Sequence, residues 1–184
     1  MDKSELRKHI KDKFKSMGYQ SIKSSHYKIY DDDYLIGFVS EPSIYCRGYC
    51  FTCGIIYLPD EKMMPFRGVF DFQWDFIFPW EPDDNPDVKA CLERKLFRRD
   101  FEYNKYTMEQ LERIFESNYD YFMKPLLDKE YGLSLFRNNW KRMKYKSVSK
   151  IRMICKRAGM DENEVLTFLK KTAEENLCEI ESGI

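Results

Sequence analysis

Apolar residues near the start of the chain recur with the period of an α-helix. Four of them lie three or four positions apart, with charged residues between them: Leu6, Ile10, Phe14 and Met17. This spacing places the four side chains on one face of a helix, and Gly18 is a residue type that commonly ends one. The sequence therefore predicts an amphipathic N-terminal helix that is capped at Asp2, Lys3 or Ser4.

The hydrophobic period changes to two after Tyr19. Residues 26–30 and 34–40 lie on either side of three consecutive aspartates, which is typical of an antiparallel hairpin. Alternation over residues 49–57 predicts a third strand, which Pro59 ends. In the second strand, we expect one face to carry three large apolar side chains: Tyr34, Ile36 and Phe38.

Alternation is strongest in residues 68–78. Aromatic residues occupy every second position: Phe70, Phe72, Trp74, Phe76 and Phe78. The positions between them include Asp71, Gln73 and Asp75. The pattern predicts a fourth strand with one aromatic face in the core and one polar face in solvent.

A proline-rich loop over residues 79–86 separates these strands from a helical second half. Asn85 and Pro86 are typical of a helix cap and a first helical position, and the helix they predict has an apolar face. That face comprises Val88, Cys91, Leu92 and Leu96. Thr107 and Gln110 form a capping-box pattern ahead of the next helix, which Pro125 breaks.

Further helices are predicted over residues 135–143, over residues 150–157 and after Asp161. A run of strands followed by a run of helices indicates an α+β fold, in which an N-terminal helix and a mainly antiparallel sheet of about four strands pack against C-terminal helices. We expect a core domain over residues 1–130 and a helical C-terminal extension over 131–184 that packs on the same domain.

Composition places the chain among folded proteins, and charge adds the first indication of partners. Hydrophobic residues make up 43% and aromatic residues 16% of the 184 residues, which is enough for a real core. Basic and acidic residues both number 31, but they are segregated along the chain. Residues 31–87 have a net charge of −9, whereas residues 131–160 have nine basic residues and no acidic one.

The sequence contains no motif for catalysis or cofactor binding. The spacing of Cys46, Cys50 and Cys53 is similar to the iron–sulfur motif of radical S-adenosylmethionine enzymes, but strand alternation turns Cys50 and Cys53 to opposite faces. His9 and His26 stand at no ligand spacing from the cysteines. We therefore expect no cofactor and no metal centre, and a binding function is favoured over an enzymatic one.

Location in the cell follows from what the sequence lacks. The N-terminal residues alternate charged and apolar types, unlike a secretory signal, and no apolar stretch approaches the ~20 residues that cross a bilayer. The cysteines follow no disulfide framework, which favours reduced thiols. These features predict a cytoplasmic protein that has no membrane partner.

The N-terminal third, residues 6–59, resembles an uncharacterised bacterial family of small α+β domains of unknown function. The resemblance lies in a helix end, a strand and a second strand before a proline: Lys15-Ser16-Met17-Gly18-Tyr19, Tyr27-Lys28-Ile29-Tyr30 and Phe51-Thr52-Cys53-Gly54-Ile55. It implies an α+β fold and no catalytic residues.

We expect a protein-binding module of immunity type. Such a protein neutralises a toxin, and here the acidic sheet region would mask a basic site on that toxin. The predicted contact residues combine acidic side chains with an aromatic anchor: Asp71, Gln73, Asp75, Trp80, Asp83 and Asp84. RNA binding through the basic segment 137–157 is an alternative, carried by Arg137, Lys141, Arg142, Lys144, Lys150 and Arg152. A metal-dependent hydrolase that uses Asp71 and Asp75 as ligands is another.

Overall fold

The computed structural model describes residues 1–30, 34–57, 70–143 and 148–171. It is an α+β structure in which an N-terminal helix, an antiparallel sheet and a series of C-terminal helices follow one another along the chain. The predicted fold class is therefore confirmed. In the described residues, no helix is both long enough and apolar enough to span a membrane.

The N-terminal helix, α1, extends over Lys3–Ser16 and begins with a reciprocal cap. The Asp2 carboxylate accepts hydrogen bonds from the backbone N–H of Ser4 and of Glu5, and the Glu5 side chain accepts one from the Asp2 N–H. The predicted face is buried at Leu6, Ile10 and Phe14. Both the helix and its cap at Asp2 are thus confirmed.

The main sheet is antiparallel and contains the predicted strands. Five of its six strands are β1 (Gln20–Ile22), β2 (Ser25–Tyr30), β3 (Tyr34–Pro42), β4 (Tyr49–Tyr57) and β5 (Phe72–Asp75), in that spatial order. The β2–β3 hairpin is confirmed, with Tyr30 opposite Tyr34, although its aspartate turn lies outside the described residues. The predicted face of β3 is also confirmed, since Tyr34, Ile36 and Phe38 all lie in the main core cluster.

The prediction of one continuous strand over residues 68–78 is wrong, and residues 68 and 69 lie outside the described residues. Strand β5 ends at Asp75, and β6 (Phe78–Pro79) pairs with β7 (Phe97–Arg98) in a second, two-stranded sheet. The buried amide of Asn118 lies at the break, where it accepts a hydrogen bond from the Ile77 N–H and donates one to the Ile77 carbonyl, both at 2.8 Å. A helix side chain therefore satisfies the backbone that a neighbouring strand would otherwise have paired.

The aromatic residues of this segment do not share one face. Phe72, Phe76 and Phe78 belong to the main core cluster. Phe70 precedes β5 and lies in a separate cluster with Tyr27, Leu35 and Val39. Alternation predicts a common face only while the chain stays extended, and the chain at Phe70 is not part of the strand.

The second half of the described chain is mainly helical, as predicted. Its α-helices are α2 (Val88–Arg94), α3 (Met108–Asn118), α4 (Lys129–Asn139), α5 (Val148–Ala158) and α6 (162–171). Between β7 and α3, the short strand β8 (Asp100–Phe101) pairs with the start of β4. The predicted box at Thr107 and Gln110 caps α3, and the chain near Pro125 forms a π-helical and then a 3-10 turn.

Both ends of α2 differ from the prediction. The cap is Asp87, whose carboxylate accepts a hydrogen bond from the Ala90 N–H, while the Asn85 side chain accepts one from the N–H of Asp87 itself. The helix then ends at Lys95, which adopts a left-handed conformation with a φ of 57°. Leu96, which the sequence places on the apolar face of the helix, is consequently exposed after its end.

One large core cluster joins the sheet to the helices and contains residues from Leu6 to Val165. Two buried tyrosines connect the layers by hydrogen bonds: the hydroxyl of Tyr34 donates to the Leu126 carbonyl at 2.8 Å, and that of Tyr57 donates to the Gly132 carbonyl at 2.5 Å. Because this cluster contains residues on both sides of position 130, α4 and α5 pack on the same core as the sheet. The boundary between a core domain and an extension at that position stays a prediction.

Candidate functional site

Asp71 does not belong to an exposed acidic surface, and the prediction that it contacts a partner is therefore wrong. Its side chain is buried, with 1% of the residue exposed. One carboxylate oxygen accepts a hydrogen bond from the Tyr57 N–H at 2.9 Å and lies 2.5 Å from Lys150 Nζ. Burial raises the pKa of Asp71, and the Lys150 ammonium opposes that rise. Asp71 therefore fastens α5 to the sheet and presents no charge to a partner.

Gln73 and Asp75 lie on β5, which is an edge strand of the main sheet. Gln73 is exposed, as predicted. Asp75 accepts a hydrogen bond from the Thr52 hydroxyl at 3.1 Å, and its other carboxylate oxygen lies 3.6 Å from an Arg99 nitrogen. The edge therefore presents one free polar side chain and one carboxylate that the protein already neutralises in part.

Trp80 is a half-exposed aromatic residue at the end of the β6–β7 ladder. The pairing of these strands ends at Pro79 and Phe97, so Trp80 directly follows one strand and Leu96 directly precedes the other. The two residues are 51% and 59% exposed. The guanidinium of Arg98 lies 4.5 Å from the centre of the Trp80 ring, which is a cation–π distance. Two large apolar side chains are thus open to solvent at the same end of the β6–β7 pair, and the Arg98 guanidinium lies over the ring of the larger one.

The loop after Trp80 holds its carboxylates in a fixed arrangement. The Glu81 N–H donates to a carboxylate oxygen of Asp84 at 2.9 Å, and the Asp84 N–H donates back to the Glu81 carbonyl at 3.1 Å. The Asp83 carboxylate accepts a hydrogen bond from the Gln110 side chain at 2.8 Å. Since Gln110 also caps α3, the loop is connected to the start of that helix. Asp83 and Asp84 stay exposed, as predicted.

Two consecutive arginines connect these parts of the surface. Arg99 pairs with Asp75 on the sheet edge, whereas Arg98 stacks on Trp80, lies 3.9 Å from Glu81 and donates to Glu102 at 3.2 Å. The acidic character of this region is thus moderated by cations of the same chain. We refer to Trp80, Leu96, Glu81, Asp83 and Asp84 as the Trp80 surface.

The basic residues of the alternative nucleic-acid site are largely engaged within the protein. Lys150 pairs with Asp71, and Arg137 donates to the Ala158 carbonyl at 2.8 Å and pairs with Glu130. In addition, Lys141 lies 4.8 Å from the Phe168 ring centre and Arg152 lies 3.7 Å from Glu162. Arg142 is exposed, and Lys144 lies outside the described residues. Arg137, Lys141 and Arg152 therefore contact residues of the C-terminal helices, and Lys150 contacts the sheet region.

The three cysteines with iron–sulfur spacing, Cys46, Cys50 and Cys53, do not form a cluster site. Cys53 is buried in the core, while Cys50, on the other face of β4, donates to the Asp100 carboxylate at 3.2 Å. Burial and the neighbouring Asp100 raise the pKa of the Cys50 thiol to about 12. Among the residues that the structure describes, no group of histidine, cysteine and carboxylate side chains has the arrangement of a metal site. This includes Asp71 and Asp75, the ligands of the hydrolase alternative.

A groove of about 670 Å³ between α1 and α3 is a feature that the sequence does not predict. His9 Nε2 lies 2.8 Å from a carboxylate oxygen of Glu112, and Lys13 pairs with Glu112 and Glu116. These pairs join residues about a hundred positions apart, so no local pattern could have indicated them. Because the charges in the groove pair with one another, they chiefly hold α1 against α3.

No protein-family model, curated protein or solved structure that was compared with the chain matches it. The resemblance of residues 6–59 to a bacterial domain family therefore stays a prediction. Any function must be inferred from the surfaces described above.

Proposed function

We propose that this protein is a protein-binding module and that the Trp80 surface is its contact site. The observation that carries the proposal is Trp80 itself, a large aromatic side chain that is half exposed and has the Arg98 guanidinium over its ring. Tryptophan is enriched among the residues that dominate binding energy at protein interfaces. A fixed ring also loses less conformational freedom on binding than a mobile one does.

The carboxylates around Trp80 favour a basic partner surface. Glu81, Asp83 and Asp84 border the aromatic residue, and hydrogen bonds hold Asp83 and Asp84 without burying them. Charge of this kind accelerates association with a partner of opposite sign and excludes acidic partners. An immunity-type role in the cytoplasm, in which the surface covers a basic site on a toxin, is one function consistent with this chemistry.

A comparison of variants in partner capture tests the proposal. The tagged protein would be recovered from its native cells and the co-purified proteins quantified by mass spectrometry. We expect Trp80→Ala to reduce the recovery of one protein partner at least tenfold, because ~2 kcal/mol or more is usual for a central aromatic contact. The matched control is Tyr121→Ala, which removes an exposed aromatic residue from another part of the chain.

The carboxylates provide a second, independent readout once that partner is purified. The double variant Asp83→Asn, Asp84→Asn should slow association and weaken its dependence on salt, with little change in the dissociation rate. A partner that binds Trp80→Ala as tightly as it binds the wild-type protein would exclude this surface as the contact site. Equal losses with Tyr121→Ala would do the same.

A further inference from the structure

A second concave site lies on the N-terminal half of the protein, formed by α1, the turn between β1 and β2, and β3. It is a cleft of about 360 Å³, within the range of small-molecule sites. Its charged lining residues are Arg7, Lys11 and Lys23. Ser24, His26 and Ser40 contribute the other polar side chains. The cleft shares no residue with the Trp80 surface.

The three cations reach the cleft from two different walls. Arg7 and Lys11 are one helical turn apart on α1, so both side chains leave the same face of the helix. Lys23 lies in the β1–β2 turn, where its backbone takes a left-handed conformation with a φ of 56°. A lysine rarely adopts this conformation, and here it belongs to the turn that contributes Lys23 and Ser24 to the lining of the cleft.

Among the residues that the structure describes, no carboxylate lines the cleft to balance these charges. Within the described part of the chain, none of the three cations takes part in a salt bridge, although Arg7 lies over the Tyr49 ring. By contrast, four other cations each pair with a carboxylate of this chain: Arg98, Arg99, Arg137 and Lys150. Three like charges around one concavity repel one another, and an anion bound between them would offset this repulsion.

His26 is a buried titratable residue at the lining of the cleft. Its ring is buried, stacks on Phe14 with 4.7 Å between ring centres, and has Nδ1 2.8 Å from the Ser21 hydroxyl. Burial and the nearby Lys11 ammonium lower the pKa of His26 to about 4. The ring is thus neutral near pH 7 and adds no further positive charge to the site.

We propose that this cleft binds a small anion through a phosphoryl group. A phosphoryl group offers three acceptor oxygens and up to two negative charges, which match the ammonium, guanidinium and hydroxyl donors at the lining. Arg7 and Lys11 bind it from the helix, and Lys23 and the Ser24 hydroxyl bind it from the turn. The ligand is a soluble phosphorylated compound, and the same group on a lipid is the alternative source.

Titration with inorganic phosphate and pyrophosphate tests the site, with the His26 ring followed by NMR. We expect saturable binding and a rise in the pKa of His26, because a bound anion stabilises the imidazolium form. Lys11→Gln and Lys23→Gln should each weaken binding about tenfold, as expected for the loss of one charge-assisted hydrogen bond. Lys8→Gln is the matched control, since Lys8 is an exposed lysine of the same helix that does not line the cleft.

Three outcomes would overturn the proposal: a response that does not saturate, an equal response to chloride at the same ionic strength, or an equal loss in Lys8→Gln. Thermal melting of each variant checks that it is folded. Vesicles with a phosphomonoester headgroup distinguish the two sources. Binding to vesicles alone that is lost in Lys11→Gln would retain the phosphoryl site and assign it to a lipid. Trp80→Ala should leave phosphate binding unchanged, so failure at one site does not imply failure at the other.

Discussion

At the scale of single residues, environment differentiates side chains of the same type. Cys46 and Cys50 are four positions apart, and both are partly exposed. Yet the Cys50 thiol donates to Asp100, and burial with this carboxylate raises its pKa to about 12. Since the thiolate is the nucleophile, a thiol with so high a pKa reacts slowly near neutral pH.

Alkylation with iodoacetamide at pH 8 should therefore modify Cys46 well before Cys50 in the native protein. Trypsin cleaves after Arg47, so the two cysteines fall on different peptides and mass spectrometry measures each rate separately. Both should react fully once the protein is unfolded. Equal rates in the native state would show that Asp100 does not hold the Cys50 proton.

At the scale of elements, caps determine where the helices begin. The Thr107 hydroxyl accepts a hydrogen bond from the Gln110 N–H at 3.2 Å, and the Gln110 side chain accepts one from the Thr107 N–H at 2.8 Å. Gln110 also donates to Asp83, so the same residue contributes to the start of α3 and to the Trp80 surface. Damage to this cap should affect both.

Thr107→Ala should lower the free energy of unfolding by ~1 kcal/mol, the usual cost of losing an N-cap side chain. Chemical denaturation measures the loss. Thr107→Ser keeps the hydroxyl acceptor and should stay close to the wild-type value, because serine caps at least as well as threonine. If serine and alanine destabilised the protein equally, the hydroxyl would not be the stabilising group.

At the scale of the whole molecule, a buried ion pair connects the sheet to the C-terminal helices. Lys150 on α5 lies 2.5 Å from the Asp71 carboxylate, whose side chain is fully buried. The energy of such a pair is asymmetric: the pair itself adds little, but removing one partner leaves a buried charge without its counter-ion.

Lys150→Met should therefore cost ~3–5 kcal/mol near neutral pH. Its cost should shrink as the pH falls, because burial already raises the pKa of Asp71, the loss of Lys150 raises it further, and a protonated carboxyl needs no counter-ion. Denaturation of the wild-type and variant proteins at several pH values measures this difference. Lys156→Met, an exposed change on the same helix, should have little effect at any pH, and the combined variant Asp71→Asn, Lys150→Met should recover part of the loss.

The same scales explain what the sequence could predict. The cap of α1 at Asp2 and the β2–β3 hairpin depend on neighbouring residues, so local patterns predicted both. By contrast, Ile77 is hydrogen-bonded to Asn118, and Asp71 is paired with Lys150. Both contacts join residues far apart in the sequence, so no pattern of neighbouring residues indicates them. In the candidate surface, the exposure of Trp80 and of the loop carboxylates is predictable, because the prolines around them indicate a loop. Leu96 was missed because its spacing fits a helix that Lys95 ends.

The core cluster also has a consequence for synthesis on the ribosome, which proceeds from the N-terminus. The apolar face of α1 is completed by α3, where Phe14 meets Phe115 with 5.3 Å between ring centres, about a hundred residues later in the chain. The hydroxyls of Tyr34 and Tyr57 likewise donate to the carbonyls of Leu126 and Gly132, which are synthesised much later. A nascent chain that has released the sheet alone therefore exposes its aromatic face for several seconds at ~5–20 residues per second. Transiently exposed apolar surface of this kind makes a folding chain prone to aggregation.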